Sequence, residues 1–364
     1  MRIAYVCYLS TLSDSGVTAK IGSQLAVWRR LGHEATLFCA TRLAPQGNTL
    51  QRIESEAGGQ IEVFSSFRER VARMARLERS VLAAKPDVVY LRYDLFTPPL
   101  VRLLRRLPTV VECNTDDLAE WRLRSRAARA FNRVNRRLVY GHSAGIAFVA
   151  HELAESPRFA RFGKPAIVLG NGIDLESSTA FPPTGNDEPR FAFLGEPSPW
   201  QGIDKVVALA AALPEATFDL VGPKTVEAAP PNLHVHGLLG AAAYGKVLAA
   251  ADVGLGTLAL YRKQMREASP LKVREYLAHG LPTVIGYEDT DFVGTDPWFL
   301  LRLPNADWNV AEHVERIRRF ARGAVGRRVA HAEIAQLDAA RKEARRLEFF
   351  ESILSGNPSR RSKL

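Results

Sequence analysis

Cysteine is scarce in this chain. The three in its 364 residues, Cys7, Cys39 and Cys113, lie far apart and each sits inside an apolar run. That argues against a disulfide or zinc framework and fits buried thiols in a reducing compartment. Also missing is any run near the ~18–20 apolar residues of a membrane span. The opening MRIAYVCYLSTL has one basic residue and no small-residue cleavage site. It reads as a first strand and not a signal peptide, so the expected location is cytoplasmic. The loop after that strand, STLSDSGVTAK, has a single glycine, which argues against a G-x-G-x-x-G dinucleotide site. There is no P-loop either. Ser143 and Ser177 lack the nucleophile-elbow context, and His234 and His236 have no third ligand nearby.

Acidic residues are short in one half only. Residues 1–165 carry 26 Lys+Arg against 15 Asp+Glu, while residues 166–364 carry 23 against 24. All of the net +10 therefore belongs to the first half. Such an asymmetry suits an anionic partner, or equally a set of solvated arginine-rich helix faces. Nucleic acid is disfavoured, because aromatic residues do not interleave with the arginines as stacking platforms would. Two segments, Phe67–Leu82 and Trp121–Tyr140, read as basic amphipathic helices. Each is explained by a solvated face or by anionic lipid on the inner face of a membrane, and the sequence does not choose.

Present in quantity are short β-rich runs alternating with helical stretches. RIAYVCYL, EATLFCA, QIEVFSS, DVVYLR, TVVEC and AGIAFVA read as strands in the first half. After GNGID and the turn-rich FPPTGNDEP the pattern restarts with RFAFLG, ATFDLVG, NLHVHG, DVGLGT and PTVIG. Strand–helix alternation implies α/β architecture with two doubly wound parallel sheets. The expected organisation is a domain over 1–165, a second over 166–335, and residues 336–364 as a helix packing back toward the first domain with a frayed basic tail. Ligands are expected outside the carboxyl ends of the strands.

The stretch EASPLKVREYLAHGLP, Glu267 to Pro282, has unusual chemistry. Ser269 is a good N-cap, Pro270 a natural first helical residue, and Gly280 with Pro282 marks the stop. Yet Lys272 falls in the first turn, where the helix dipole is positive and a cation is the wrong sign. An anion arriving with a substrate would make it the right sign. The bland alternative is a surface Lys272–Glu275 pair at i,i+3. Just beyond, EDTD (Glu288–Asp291) contains a D-x-D, a pattern that can hold a metal–diphosphate pair but is common by chance.

Several segments match in order the pattern of one family: SGVTAKIGSQLAVWRRLGHEATLF, GNGID, FLGEPSPWQGID, AADVGL and EASPLKVREYLAHGLPTV. The chain resembles a retaining glycosyltransferase of family 4, with the GT-B architecture of two facing Rossmann-like domains, over roughly residues 1–320. The resemblance implies a nucleotide-sugar donor (a UDP- or GDP-sugar), hexosyl transfer with retention, no cofactor and no obligatory metal. It assigns the E-x7-E pair to Glu267, near the reacting sugar, and Glu275, on the ribose hydroxyls, with Lys272 on the diphosphate. Ser269 and the backbone at Gly195 and Gly16 are expected to assist, with Lys20 either assisting or solvated. The sequence departs from the family where members often carry an arginine and a lysine aimed at the diphosphate. Glu196-Pro197 and Gln201-Gly202 stand there. On the acceptor side Asn114 or Asp116 takes the place of a common histidine, and Arg92 is a further contact unless it only closes a strand end. The acceptor is expected to be a glycan, a lipid-linked or a small molecule. The same resemblance leaves open a nucleotide-sugar 2-epimerase or a catalytically silent sugar- or membrane-binding relative.

Overall fold

RIAYVCYL folds as a central strand must, with Ile3 to Cys7 all buried. In the computed structural model, which describes residues 1–9, 16–42, 58–120 and 125–356, the chain divides into two units. The first takes in Met1–Leu169 together with Ala339–Leu364, and the second Gly170–Asp338.

The first unit is a seven-stranded sheet. Its strands are β1 (Arg2–Leu9), β2 (Glu34–Thr41), β3 (Gln60–Val63), β4 (Val88–Arg92), β5 (Thr109–Cys113), β6 (Gly145–Phe148) and β7 (Ala166–Val168). The order is β3-β2-β1-β4-β5-β6-β7, and every pairing is parallel. β7 pairs with β6, so the first unit runs to Leu169 and not to residue 165. Local signals set the helices between strands. Ser66 caps the helix Phe67–Ala84 by accepting from Glu69 N–H, and Thr97 caps Pro98–Arg106, whose prolines suit its first turn. Within the segment Trp121–Tyr140, expected as one helix, the described helix is Arg126–His142, and a short turn of helix, Asp117–Glu120, comes before it. Trp121 and Leu123 lie outside the described residues, as does the basic tail from Asn357.

The helix Ala339–Leu354 completes this unit. Phe350 packs edge-on against Trp28 at 5.8 Å, beside Tyr90. Glu343 accepts from Gln24 Nε2 at 3.1 Å and Trp28 Nε1 at 2.8 Å, while Arg346 donates to Glu343 at 2.8 Å. Removing that helix would expose an aromatic core and leave buried donors unmet.

The second unit holds β8 (Arg190–Leu194), β9 (Thr217–Val221), β10 (Leu233–Gly237), β11 (Val253–Leu255), β12 (Glu267–Ala268), β13 (Thr283–Ile285), β14 (Glu288–Asp289) and β15 (Leu300–Arg302). Six form a parallel sheet, β10-β9-β8-β11-β13-β15, and β12 pairs with β14 separately. Phe191, Phe193, Phe218, Leu220 and Leu255 make its core. Both units are therefore parallel-sheet α/β domains, the fold class expected. Among the described residues no helix is long and apolar enough to cross a membrane.

Candidate functional site

The helix Leu271–Ala278 is held against the carboxyl ends of β8 and β11. Tyr276, fully buried, accepts from Leu194 N–H at 2.6 Å and donates to Leu255 O at 3.3 Å. This clamp places the helix start beside Phe193. Pro270, not Ser269, takes the cap position, with an extended backbone and no side-chain cap bond. The first intrahelical bonds run from Val273 and Arg274 N–H to Pro270 O. The amides of Leu271 and Lys272 precede them, at the positive end of the helix dipole.

Lys272 Nζ donates to Gln201 Oε1 at 2.8 Å and lies 3.6 Å from the centroid of the Phe193 ring. Among the described residues no carboxylate forms an ion pair with it. Burial alone pushes its pKa well below the usual lysine range. The alternative Lys272–Glu275 surface pair does not form. Glu275 Oε1 instead accepts from Tyr244 Oη at 2.7 Å. Burial, and then the Glu275 carboxylate, raise the Tyr244 phenol above its ordinary value, so it stays a donor. Gln201 and Tyr244 were both missed as partners of these residues. The first was read only as an absent lysine, and the second lies 31 positions from its partner with no local signal.

Ser269 does not face outward as a cap. Its buried hydroxyl accepts from Asn171 N–H and from Arg274 Nη2, both at 2.7 Å, tying the crossover segment to the helix. Arg274 is fully buried. It donates to Asp289 at 2.7 and 2.8 Å, to Asp291 at 2.7 Å and to Asn171 O at 2.9 Å. Burial alone would lower its pKa, but the two aspartates reverse the shift and raise it. Both D-x-D carboxylates are thus engaged by one guanidinium, in an internal ion-pair cluster on which Gly170 abuts. A Cβ on Gly170 would lie 2.4 Å from Asp291 Oδ2.

Glu267 opens β12 and is buried. Gly195 follows β8, but its N–H continues the sheet by donating to Val221 O at 3.0 Å, so that amide is not open to a ligand as expected. Its missing side chain matters instead, because a Cβ there would sit 3.3 Å from the Phe193 ring and 3.5 Å from Gln201 Cδ.

In the first unit, Lys20 is neither solvated nor unpaired. Its Nζ donates to Glu112 Oε1 at 2.6 Å and to Asn114 Oδ1 at 3.3 Å. Arg92 Nη1 donates to the other oxygen of Glu112 at 3.1 Å. Burial alone would raise the Glu112 carboxyl. Lys20 and Arg92 overcome this and hold it far below the usual carboxylate range. Burial, only partly offset by Glu112, lowers Lys20. Lys20, expected either to assist at the diphosphate or to be solvated, is one arm of a buried Lys–Glu–Arg cluster at the carboxyl ends of β4 and β5. Glu112 sat unremarked within TVVEC because a strand pattern hides what its one acidic member pairs with. Asp116 accepts from Leu118 and Ala119 N–H at 3.0 and 3.3 Å and pairs with Arg158, a capping role rather than an open contact. Gly16 opens the exposed start of the helix Gly16–Arg30.

Residues 15–172 match the glycosyl transferase 4-like domain. The match covers the first unit from its first helix to Leu169, without its C-terminal helix, and ends just inside the second. No curated protein matches the chain. Solved structures of the same fold include the lipopolysaccharide outer core galactosyltransferase WaaB in apo form. That pair shares 11% identity with a TM-score of 0.66, over 96% of this chain and 100% of that one. A sucrose-phosphate synthase from Thermosynechococcus elongatus superposes with a TM-score of 0.68 at 13% identity, over 98% and 100%. An alpha-glucosyltransferase in complex with UDP and a DNA 13-mer gives 0.62 at 12% identity, over 96% and 100%. At such identities the likeness establishes the GT-B fold.

Proposed function

We propose that this protein is a retaining glycosyltransferase that moves a hexose from a UDP- or GDP-sugar to a glycan, lipid-linked or small-molecule acceptor. One observation carries the reading: a lysine at a helix N-terminus, aimed by a neutral glutamine and unpaired with any carboxylate among the described residues. Departure of the leaving group puts negative charge on a diphosphate, and fixed cations and N–H groups stabilise it where it develops. Lys272 and the amides of Leu271 and Lys272 supply both. Glu275 keeps Oε2 and its remaining lone pairs for the two ribose hydroxyls while Tyr244 occupies Oε1. Glu267 is assigned to the sugar hydroxyls near the reacting carbon. No metal is required, since the D-x-D carboxylates already serve Arg274.

For the acceptor, Arg92 and Asn114 remain. Arg92 uses one nitrogen on Glu112 and has a half-buried side chain at the end of β4. Peripheral contact with an anionic membrane belongs to the same proposal, on the arginine-rich helices of the first unit. A thermal-shift screen of nucleoside diphosphates tests the donor half, because a ligand that binds only the folded state raises the midpoint. UDP or GDP should raise it, and the corresponding nucleoside should raise it less. No shift from any nucleoside diphosphate would remove the donor reading.

A further inference from the structure

The buried arginines Arg70, Arg136 and Arg346 of the first unit each have a carboxylate of their own. Arg70 pairs with Asp94, Arg136 with Asp117, and Arg346 with Glu343 at 2.8 Å. Arg92, the last residue of β4, does not. It shares Glu112 with Lys20. Lys20 Nζ holds Oε1 at 2.6 Å and Arg92 Nη1 donates to Oε2 at 3.1 Å, so both carboxylate oxygens are taken. The Lys20 side chain is 7% exposed and that of Glu112 1%, against 20% for Arg92. Lys20 is thus the buried counter-ion of Glu112, and Arg92 is a second cation on a carboxylate already matched.

The neighbouring carboxylates are engaged elsewhere. Asp94 serves Arg70, Asp116 serves Arg158, and Asp117 serves Arg136. On the last helix Glu343 is bound by Arg346, Gln24 and Trp28. Arg346 adds a third positive charge felt at Glu112. Lys20, Arg92 and Arg346 therefore face only Glu112 and Glu343. Among the described residues Nε and Nη2 of Arg92 meet no acceptor, since only Nη1 is used. They lie at the carboxyl end of β4, the side of a parallel sheet where ligands bind. An arginine that merely closed the strand end would gain nothing from Lys20 on the same carboxylate, because the two like charges repel.

We propose that Arg92 reads an oxyanion on the acceptor, a phosphate ester or a carboxylate, while Glu112 holds the guanidinium in place for it. This rests on the acceptor reading above and names the class of that acceptor. Glu112 fixes Nη1, and the opposite edge of the planar fork offers Nε and Nη2 side by side, the geometry that binds an oxyanion bidentately. The anion balances the surplus charge of the cluster. Asn114, whose Oδ1 accepts from Lys20 at 3.3 Å, keeps its neutral amide N–H groups for a hydroxyl beside it. Lysine could not replace Arg92, because an ammonium bound to Glu112 has no second edge to present.

The test reads Arg92 directly, with methyl phosphate, methyl glucuronide and the neutral methyl glucoside as probes. Its Nε–Hε NMR signal, assigned by its loss in Arg92→Lys, is followed in the wild type and in Lys272→Ala, which lacks the cation assigned to the donor. One or both anions should move the signal saturably in the two proteins, while methyl glucoside leaves it in place. The anion that binds more tightly identifies the group. Arg92→Gln should lose roughly 10–100-fold in affinity for it, the strength of hydrogen bonds to a charged group. If methyl glucoside moves the signal as far as the anions do, the acceptor reading stands and the anionic class falls. If no probe moves it, both fall. Melting curves of Lys272→Ala need no Arg92 variant. At matched ionic strength an anionic probe should raise the midpoint above that with methyl glucoside, and equal midpoints with all three would overturn the inference.

Discussion

Lys272 is a residue whose charge makes sense only with a ligand. In the first turn a cation opposes the helix dipole, and the part-buried Lys272 has no carboxylate partner among the described residues. Lys272→Ala should therefore cost turnover, not stability. Loss of one preorganised donor to a developing charge typically lowers turnover by ~10²–10³, and the empty variant should melt no lower than wild type. Glu275→Ala should weaken nucleosides as well as diphosphates, since its assigned partner is the ribose. Steady-state kinetics with melting curves check both. A Lys272→Ala protein that keeps its turnover would place the cation elsewhere. At this scale the sequence shows the anomaly, a lysine at the wrong end of a helix, but not its resolution. Gln201, 71 positions away, and Tyr244, 31 from Glu275, become partners only through the fold. Ser269 shows the converse error. A serine before a proline reads as a cap, yet its hydroxyl turns inward because Arg274 and Asn171 offer it two donors.

Among elements, most strands were legible, including the three-residue β11 and β13, and a few of the shortest were not. β1, with eight residues, and the five-residue β4, β5, β8 and β9 carry enough apolar side chains to show themselves. β12 and β14, of two residues each, and β7 and β15, of three, do not. Their pairing is decided by neighbours, not by local pattern. The loops after β8 and β9 depend on close backbone contact. Gly222 has φ +127°, and a Cβ there would lie 2.0 Å from Gly195 O. Gly222→Ala must displace the end of β8, which positions Phe193 beneath Lys272. The variant should lose roughly 1–3 kcal/mol of stability, from the backbone conformation and the clash together. It should also bind nucleoside diphosphate more weakly. Denaturant melts and ligand titration report each effect, and a fully stable variant with normal binding would contradict the packing described.

For the whole molecule, strand–helix alternation was enough to give two parallel-sheet domains, because that pattern has few other solutions. The domain edges were less legible. β7 joins the first sheet by only a three-residue pairing, whereas the last helix, expected against the first domain, enters that unit through Glu343, Arg346 and Phe350, hundreds of positions from their partners. Charge distribution is also a property of the whole. Arg129, Arg133 and Arg137 are exposed at i,i+4 spacing on a helix with no acidic side chain, so like charges repel with no internal relief. If an anionic membrane supplies that relief, the protein should pellet with anionic liposomes at low salt and release as screening rises. Equal recovery with neutral liposomes would assign those arginines to solvent.

The central claim is that the second unit takes a nucleotide-sugar whose diphosphate meets Lys272 without help from a metal. The most direct measurement is turnover of UDP- and GDP-sugars by the wild-type protein in EDTA, with products separated by chromatography and Lys272→Ala run beside it. The account predicts nucleoside diphosphate release from one donor class, by transfer or slow hydrolysis, undiminished by EDTA and lost with Lys272→Ala. An epimerised donor, or turnover that EDTA abolishes and manganese restores, would contradict it.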